Sequence, residues 1–600
     1  MASIVALVIP LLSPAPVHAA LTSHAPISIN GNSGFTSPDP VNGGGSGTAS
    51  DPYIIENWDI ITSSATGISI SNTTAYFVIR RCYVHDGGYY GIYLYNVTNG
   101  VLDNVLAKNN SFGFVIMDSD NNIIKNCILE NNGSCGIYSS NSNNNIYYND
   151  TCGNNWSGIY ITYYSSNNLV ENCTTEYNDF YGVKLEGHSD NNLVENCDMS
   201  NNDNYGIQLL SSDNNCISNN FLENNYWSGI CLLNDSNNNT ISNNTCSNNV
   251  DAGNGIDLYE NSDNNTISGN TCSNNYYFGI RLRDSSNNTI SNNITENTRN
   301  IHGIFLESSD NNLIENNTVR NNQQCGIQIY LSSNNTISNN IVEDTRTYEG
   351  ILIQNSGNNL VFNNLVRNNP QGIGLYISSN NHIYHNNFVN NTAQAYDGGS
   401  NFWDDSYPSG GNYWSDYTGT DYYSGENQNI PGGDGIGDAP YNISGGSNRD
   451  HYPLMNHWPI AEGTATFKLE NLYKVSLEKD LQLYTGSLLL VWFYKYDNTF
   501  QAVSLIESIT PPQSVEENEN VPHPRAEERF SWGSVQIATL TLADNTGNVI
   551  STIASFTVHP SDLRNRYMAI LADWGNHPEQ QSAFRAEVMD ILSQWSSAPP

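Results

Sequence analysis

The sequence predicts an all-β fold: a parallel β-helix of about 14 coils followed by a small β-sandwich-like C-terminal domain with a terminal helix. Three observations predict it. A Gly-hydrophobic-x-hydrophobic motif recurs every 22 to 26 residues, fourteen times, from Gly67, Gly91 and Gly113 to Gly350 and Gly372. An Asn-Asn pair rides in the same register, as at Asn121-Asn122, Asn144-Asn145, Asn167-Asn168 and on to Asn380-Asn381. No stretch of residues 60–395 carries a helical apolar stripe, while short runs alternate with period two, as in Gly182-Val183-Lys184-Leu185-Glu186. A fixed period of this length means one supersecondary unit per repeat, whose apolar face is buried only when neighbours stack on it.

At the N-terminus, Ile4–Leu12 followed by Val17-His18-Ala19-Ala20 reads as the apolar core and small-residue cleavage site of a signal peptide, residues 1–20, although a basic n-region is lacking. An N-terminal cap is expected over 21–60 and the coils over 61–395. Asparagine makes up about a quarter of residues 101–400, and stacked turn asparagines can form amide ladders along the axis. All eleven cysteines fall between 82 and 325. Cys173 with Cys197, and Cys246 with Cys272, occupy matching positions of successive coils and could bridge. The odd total and the repeat-locked spacing favour small buried hydrophobes instead.

Residues 396–457, rich in Gly, Asp, Trp and Tyr, form an exit cap. There Asp416, Asp421, Asp434, Asp438 and Asp450, among tight glycine turns, offer the oxygen donors of a possible Ca²⁺ site, without the spacing of an EF-hand loop. From 461 to 600 the asparagines thin out. Alternating runs Leu488–Tyr496, Val535–Leu542 and Val549–Val558 read as strands, Pro511–Arg529 as an exposed loop, and Ala583–Leu592 as an amphipathic helix. This module is read as an accessory to adhesion, assembly or surface attachment.

The repeats, the entry segment Pro26–Asn32 with Asp51–Trp58, and the exit segment Asn401-Phe402-Trp403, Gly411–Tyr417, Asp434–Asp438 and Tyr452–Met455 resemble the NosD-like secreted β-helix proteins. These sit within the wider carbohydrate-binding and sugar-hydrolase superfamily. The resemblance spans roughly residues 25–457 and implies a right-handed β-helix and a secreted, extracellular or cell-surface location. It also suggests copper handling. However, 12 His and 6 Met are few, and the one close pair, His382 and His385, points to opposite faces of a strand, so copper is not carried over.

A formal charge of −38, from 21 basic and 59 acidic residues, argues against nucleic acid as a partner. No apolar stretch after the N-terminus reaches eighteen residues, so no transmembrane anchor is expected. About seventeen Asn-x-Ser/Thr sequons permit glycosylation of an exported chain. The expected partner is a polysaccharide or cell-envelope glycan.

Positions two and four after each glycine point outward. They carry Tyr93, Tyr95, Tyr138 and Tyr160, then Lys184 and Glu186, Asp257, Arg281 and Arg283, and Glu307. Tyr93, Tyr95, Tyr138, Tyr160 and Arg283 are candidate carbohydrate-binding residues, because rings stack on sugar faces and guanidinium groups bind hydroxyls. A second aromatic column is expected just before the glycines, at Tyr90, Phe112, Trp156, Tyr181, Tyr205, Trp227 and Phe278, continued by His302. Lys184, Glu186, Asp257, Arg281 and Glu307 are the catalytic candidates, should the chain be a lyase, epimerase or glycosidase acting on an acidic polymer. Glu186 and Asp257 lie three coils apart, roughly 14 Å, too far for a glycosidase pair. His85 and His188 are lone candidate bases. A surface that presents binding sites for polysaccharide is the leading reading; an enzyme and a purely structural envelope component are the alternatives.

Overall fold

A computed structural model describes residues 21–36, 39–61, 63, 65–251 and 253–459, and beyond these the strands between 461 and 557. The expected signal peptide, the loop Pro511–Arg529 and the terminal helix lie outside the described residues.

The chain is an all-β parallel β-solenoid of about 16 turns. It divides into two compact units: one running to Asn288 with Thr298–Asn300 and Glu307–Ser309, the other comprising the rest. In the first, a typical turn holds a glycine-bearing strand and up to two shorter ones. Cys135–Ser140, Ile146–Tyr148 and Thr151–Gly153 make one turn. Each strand pairs in parallel with its equivalent one repeat on: Cys135↔Ser157, Ile146↔Leu169 and Ile128↔Thr151. In the second unit Glu349–Gln354, Leu360–Phe362 and Leu365–Arg367 repeat the arrangement. The inward positions of both units are wholly buried Ile, Leu and Val, such as Ile159, Ile161 and Val170, or Ile351, Ile353 and Val361.

The periodic marks now have physical causes. At Gly206 a Cβ would lie 2.7 Å from Leu222 Cδ2 and 2.8 Å from the carbonyl oxygen of Gly229, the equivalent glycine one turn on; at Gly326 the corresponding distances are 2.4 Å to Val342 Cγ1 and 2.7 Å to Gly350 O. The motif is thus a close approach of stacked backbones. In each Asn-Asn pair the first residue takes a left-handed φ (58° at Asn121, 56° at Asn144, 59° at Asn167). The second is buried and forms a rung. Asn122 N–H donates to Asn145 Oδ1 at 2.9 Å, Asn145 to Asn168 and Asn168 to Asn192 at 2.8 Å each. In the second unit Asn312, Asn335, Asn359 and Asn381 repeat the ladder.

Fourteen glycines undercount the turns. Ile27–Asn30, inside the expected cap, pairs with Ile68–Ser71, and Ala393–Asp397 pairs with Gln371–Leu375. The latter carries Gln394 where earlier turns carry glycine. Gln394 itself supplies the carbonyl 2.5 Å from a Cβ at Gly372, as each turn's glycine does for the turn before.

All eleven cysteines are free thiols and ten are buried, Cys216 being half-buried. Cys173 and Cys197 stack without bridging, the Cys173 N–H donating to Cys197 Sγ at 3.3 Å. The expected strands after 461 occur as antiparallel pairs, among them Leu490–Tyr496 with Thr499–Ile506 and Ile537–Ala543 with Val549–Thr557. Among the described residues no helix is long and apolar enough to cross a membrane.

Candidate functional site

Strand pairing brings Tyr160 beside Lys184 and Thr162 beside Glu186 in the first unit. Lys184 Nζ lies 3.1 Å from Glu186 Oε2, and the Tyr160 hydroxyl donates to the same carboxylate oxygen. The ammonium also sits 5.1 Å above the Tyr160 ring and 5.0 Å above the Tyr181 ring. Burial pushes the Lys184 ammonium below its ordinary pKa and the Glu186 carboxyl above its own, so the two titrate closer together than the free side chains do. Tyr138 continues the row, its ring 5.5 Å from that of Tyr160.

Aromatic side chains flank this row on both sides. Before the strands, Trp156 packs against Phe180 at 4.7 Å, Tyr181 stacks on Tyr205 at 6.1 Å with planes 6° apart, and Tyr205 meets Trp227 edge-on at 5.3 Å. Trp156 and Trp227 stay 38% and 42% exposed. After the strands stand Tyr163 and Tyr164, 62% and 63% exposed, with His188 stacked on Tyr164 at 5.4 Å. Both tyrosines adopt left-handed backbone, φ 50° and 55°, at a turn where the preceding repeat places Asn141. Such a conformation is costly for a bulky side chain, and here no burial compensates it.

Two expectations need correction. Position two after the glycine points away from the core and stays half-exposed at Tyr93, Tyr138, Tyr160 and Arg281, but Lys184, Gln208 and Asp257 are buried, because large rings at Tyr181, Tyr205, Tyr259 and Phe278 lie over or beside that column. The aromatic column before the glycines is also interrupted. Cys135 and Ser157 occupy that register between Phe112 and Tyr181, while Trp156 stands one residue earlier and Trp227 precedes Ser228.

The five catalytic candidates do not converge. Lys184 and Glu186 form one group. Asp257 and Arg281 form another, joined by two hydrogen bonds of 2.9 and 2.8 Å, with Asn254 donating to Asp257 at 2.7 Å. The strand register Lys184↔Gln208↔Cys231↔Asp257 sets the groups three turns apart. Asp257 is fully buried, which raises its pKa against the opposing pull of Arg281. Arg281 lies over the Tyr259 ring at 4.4 Å and Arg283 over the same ring at 4.7 Å, with Asp284 3.8 Å from Arg283. Glu307 is half-buried on Ile304–Glu307 and takes no part in the pair. Tyr93 stacks between Tyr90 at 5.3 Å and Tyr95 at 6.2 Å, nearer the N-terminus of the unit. His85 is held between Asp59 and Asp86, each at 2.8 Å.

The five exit-segment aspartates are taken up largely in organising turns. Asp421 accepts N–H bonds from Asp434 and Gly435, Asp438 from Tyr422 and Tyr423, and Asp434 from Gly425 and Ile436. Asp416 accepts from the Tyr441 hydroxyl. Asp450, fully buried, accepts from Asn412 N, Trp414 Nε1 and Tyr452 N; burial outweighs these donors and leaves its carboxyl pushed up to about 7. Among the described residues no three His, Cys, Asp or Glu side chains come together as metal ligands. His382 and His385 bond separately, to the carbonyls of Asp404 and Ser409.

Residues 249–419 match the family described as "Periplasmic copper-binding protein (NosD)", and residues 41–175 and 168–301 match "Right handed beta helix region". No curated protein matches the chain. Similar solved structures include a point mutant of the periplasmic alginate epimerase AlgG (16% identity, 47% of this chain and 75% of that one, TM-score 0.29). Two others are the A-module of the Azotobacter vinelandii mannuronan C-5 epimerase AlgE4 (15%, 48% and 88%, 0.32) and the catalytic domain of a GH87 α-1,3-glucanase in complex with tetrasaccharides (14%, 52% and 59%, 0.31). At such identities and scores nothing about activity follows. The family matches and the stacked parallel turns agree: the chain is a NosD-like right-handed parallel β-helix repeat protein.

Proposed function

We propose that the protein is secreted or periplasmic and binds polysaccharide along the outward face of the first unit, from about Tyr138 to Trp227. One observation carries the reading: exposed aromatic side chains line both sides of the Tyr138–Tyr160–Lys184 row, and two of them, Tyr163 and Tyr164, hold a strained backbone without burying their rings. Exposed apolar surface that gains nothing for folding is retained for contact with a partner. Flat rings suit the apolar faces of sugars, while Glu186 and the phenolic hydroxyls can bond sugar hydroxyls. The periplasmic family description and the signal-like N-terminal sequence support export.

The Tyr160–Glu186–Lys184 contact favours one secondary reading, proton transfer at a bound sugar, since burial moves the Lys and Glu pKa values toward one another. A glycan array with parallel viscometry of the full chain, with and without millimolar Ca²⁺, separates the readings. Binding without loss of viscosity supports the proposal. Falling viscosity or new unsaturated ends would make the protein an enzyme, and silence on every glycan would leave a structural envelope component.

A further inference from the structure

Resting on the binding role proposed above, we infer that the first unit takes a neutral polysaccharide, a polymer without uronate or sulfate groups. Between Arg81 and Arg281 the chain has three basic residues, Lys108, Lys125 and Lys184, against 21 acidic ones. Each is already paired: Lys108 with Glu130 at 3.5 Å, Lys125 with Asp103 at 3.6 Å, Lys184 with Glu186 at 3.1 Å. A carboxylate on a sugar laid along the Tyr138–Tyr160–Lys184 row would therefore meet Glu186 as readily as Lys184, and no unpaired lysine or arginine stands among the described residues of that stretch. Of the guanidinium groups that follow, Arg281 is held by two hydrogen bonds to Asp257, while Arg283 lies over the Tyr259 ring, three turns or more beyond Lys184, with the Asp284 carboxylate 3.8 Å away. Over the whole chain the charge of −38 repels a polyanion before contact. What the row and its flanks do offer is uncharged: aromatic faces and phenolic hydroxyls.

The test is titration of the full chain with mannan, dextran and a mixed-linkage β-glucan, and with alginate, polygalacturonate and chondroitin sulfate, each in EDTA and in millimolar Ca²⁺. The best neutral polymer is expected to bind at least about tenfold tighter than any acidic one, unchanged up to about 0.5 M NaCl because no screened charge pair holds it. An acidic polymer that binds as tightly or tighter, with or without Ca²⁺, overturns the inference. If that binding also weakens in Trp227→Ala, the binding face stands and only the substrate class is wrong. Binding of a neutral polymer that neither Trp156→Ala nor Trp227→Ala weakens would place the sugar elsewhere and defeat both proposals, as would silence on all six polymers.

Discussion

The two units repeat one inward pattern and differ in what they show to solvent. In both, glycine meets the glycine carbonyl of the next turn, buried asparagines form ladders, and Ile and Val fill the interior. The residue before the glycine, however, is aromatic in five turns of the first unit, Tyr90, Phe112, Tyr181, Tyr205 and Phe278, and small or polar in others, whereas in the second unit it is His302, Cys325, Glu349 and Gln371. There Cys325 N–H donates to His302 Nδ1 at 3.1 Å, and Glu349 accepts from the Cys325 thiol and the Tyr376 hydroxyl. Leu331 and Ile377 are exposed on left-handed backbone as Tyr163 is, yet neither brings an aromatic ring to the face. A β-helix constrains its inward columns through stacking and leaves the outward columns to function.

The largest effects are expected from substitutions in what the units share. Asn202→Ala removes the oxygen that accepts from Asn178 N and Nδ2 and the amide that donates to Thr175 O. Asn340→Ala does the equivalent in the second unit, where Asn317 N and Nδ2 donate to it and it donates to Ile314 O. Each should cost about 2–4 kcal/mol in urea unfolding, since buried partners are left unsatisfied. A loss below about 0.5 kcal/mol in either would deny the ladder its role.

Gly206→Ala and Gly326→Ala should follow at about 1–3 kcal/mol each by overpacking against the next turn. An unchanged thermal midpoint in both would show that the close approach relaxes freely.

Asp150→Asn acts in the opposite direction and in the first unit alone. Asp150 stands in a ladder column that Cys173, Cys197, Asn220 and Asn244 continue, its Oδ1 accepts from Cys127 N at 2.8 Å, and its Oδ2 has no hydrogen-bond partner. Burial pushes its carboxyl up to about 8, so the native state holds a proton that the unfolded state releases near pH 4. Its contribution is therefore fully present below pH 4 and is lost as pH rises through about 8. Asp150→Asn should raise stability by about 1–2 kcal/mol at pH 8 and flatten the decline between pH 5 and 8. Destabilisation at pH 8 would contradict the assignment.

The repeat period, the strand alternation and the Asn-Asn rungs were legible because each residue type at those positions answers one local demand, repeated every turn. The last turn carries no such mark, because a glycine is required only where another backbone closes over it, and Gln394 shows that this turn is free of that demand; the first turn carries Pro26 in the glycine register. The covering of Lys184 and Asp257 was not legible, since it depends on how far rings from neighbouring turns reach. The tyrosines at 163 and 164 did leave a trace: they stand where the preceding repeat uses Asn141, a residue that tolerates left-handed backbone. A mismatch of that kind between aligned repeats marks the face in the sequence itself. The aspartates of the exit segment stay open to both readings for a related reason, because a carboxylate that caps backbone N–H groups and one that awaits a cation look alike in sequence.

If the aromatic face of the first unit binds glycan and its counterpart in the second does not, single substitutions in the two units must act unequally. The quantity to measure is the affinity of one bound polysaccharide for the full chain, for Trp227→Ala, and for Tyr348→Ala in the second unit, with thermal unfolding as a check on folding. We expect Trp227→Ala to weaken binding about tenfold or more, as loss of an aromatic anchor does, while Tyr348→Ala leaves it within about twofold. Equal losses in both variants, or none in Trp227→Ala, would contradict it.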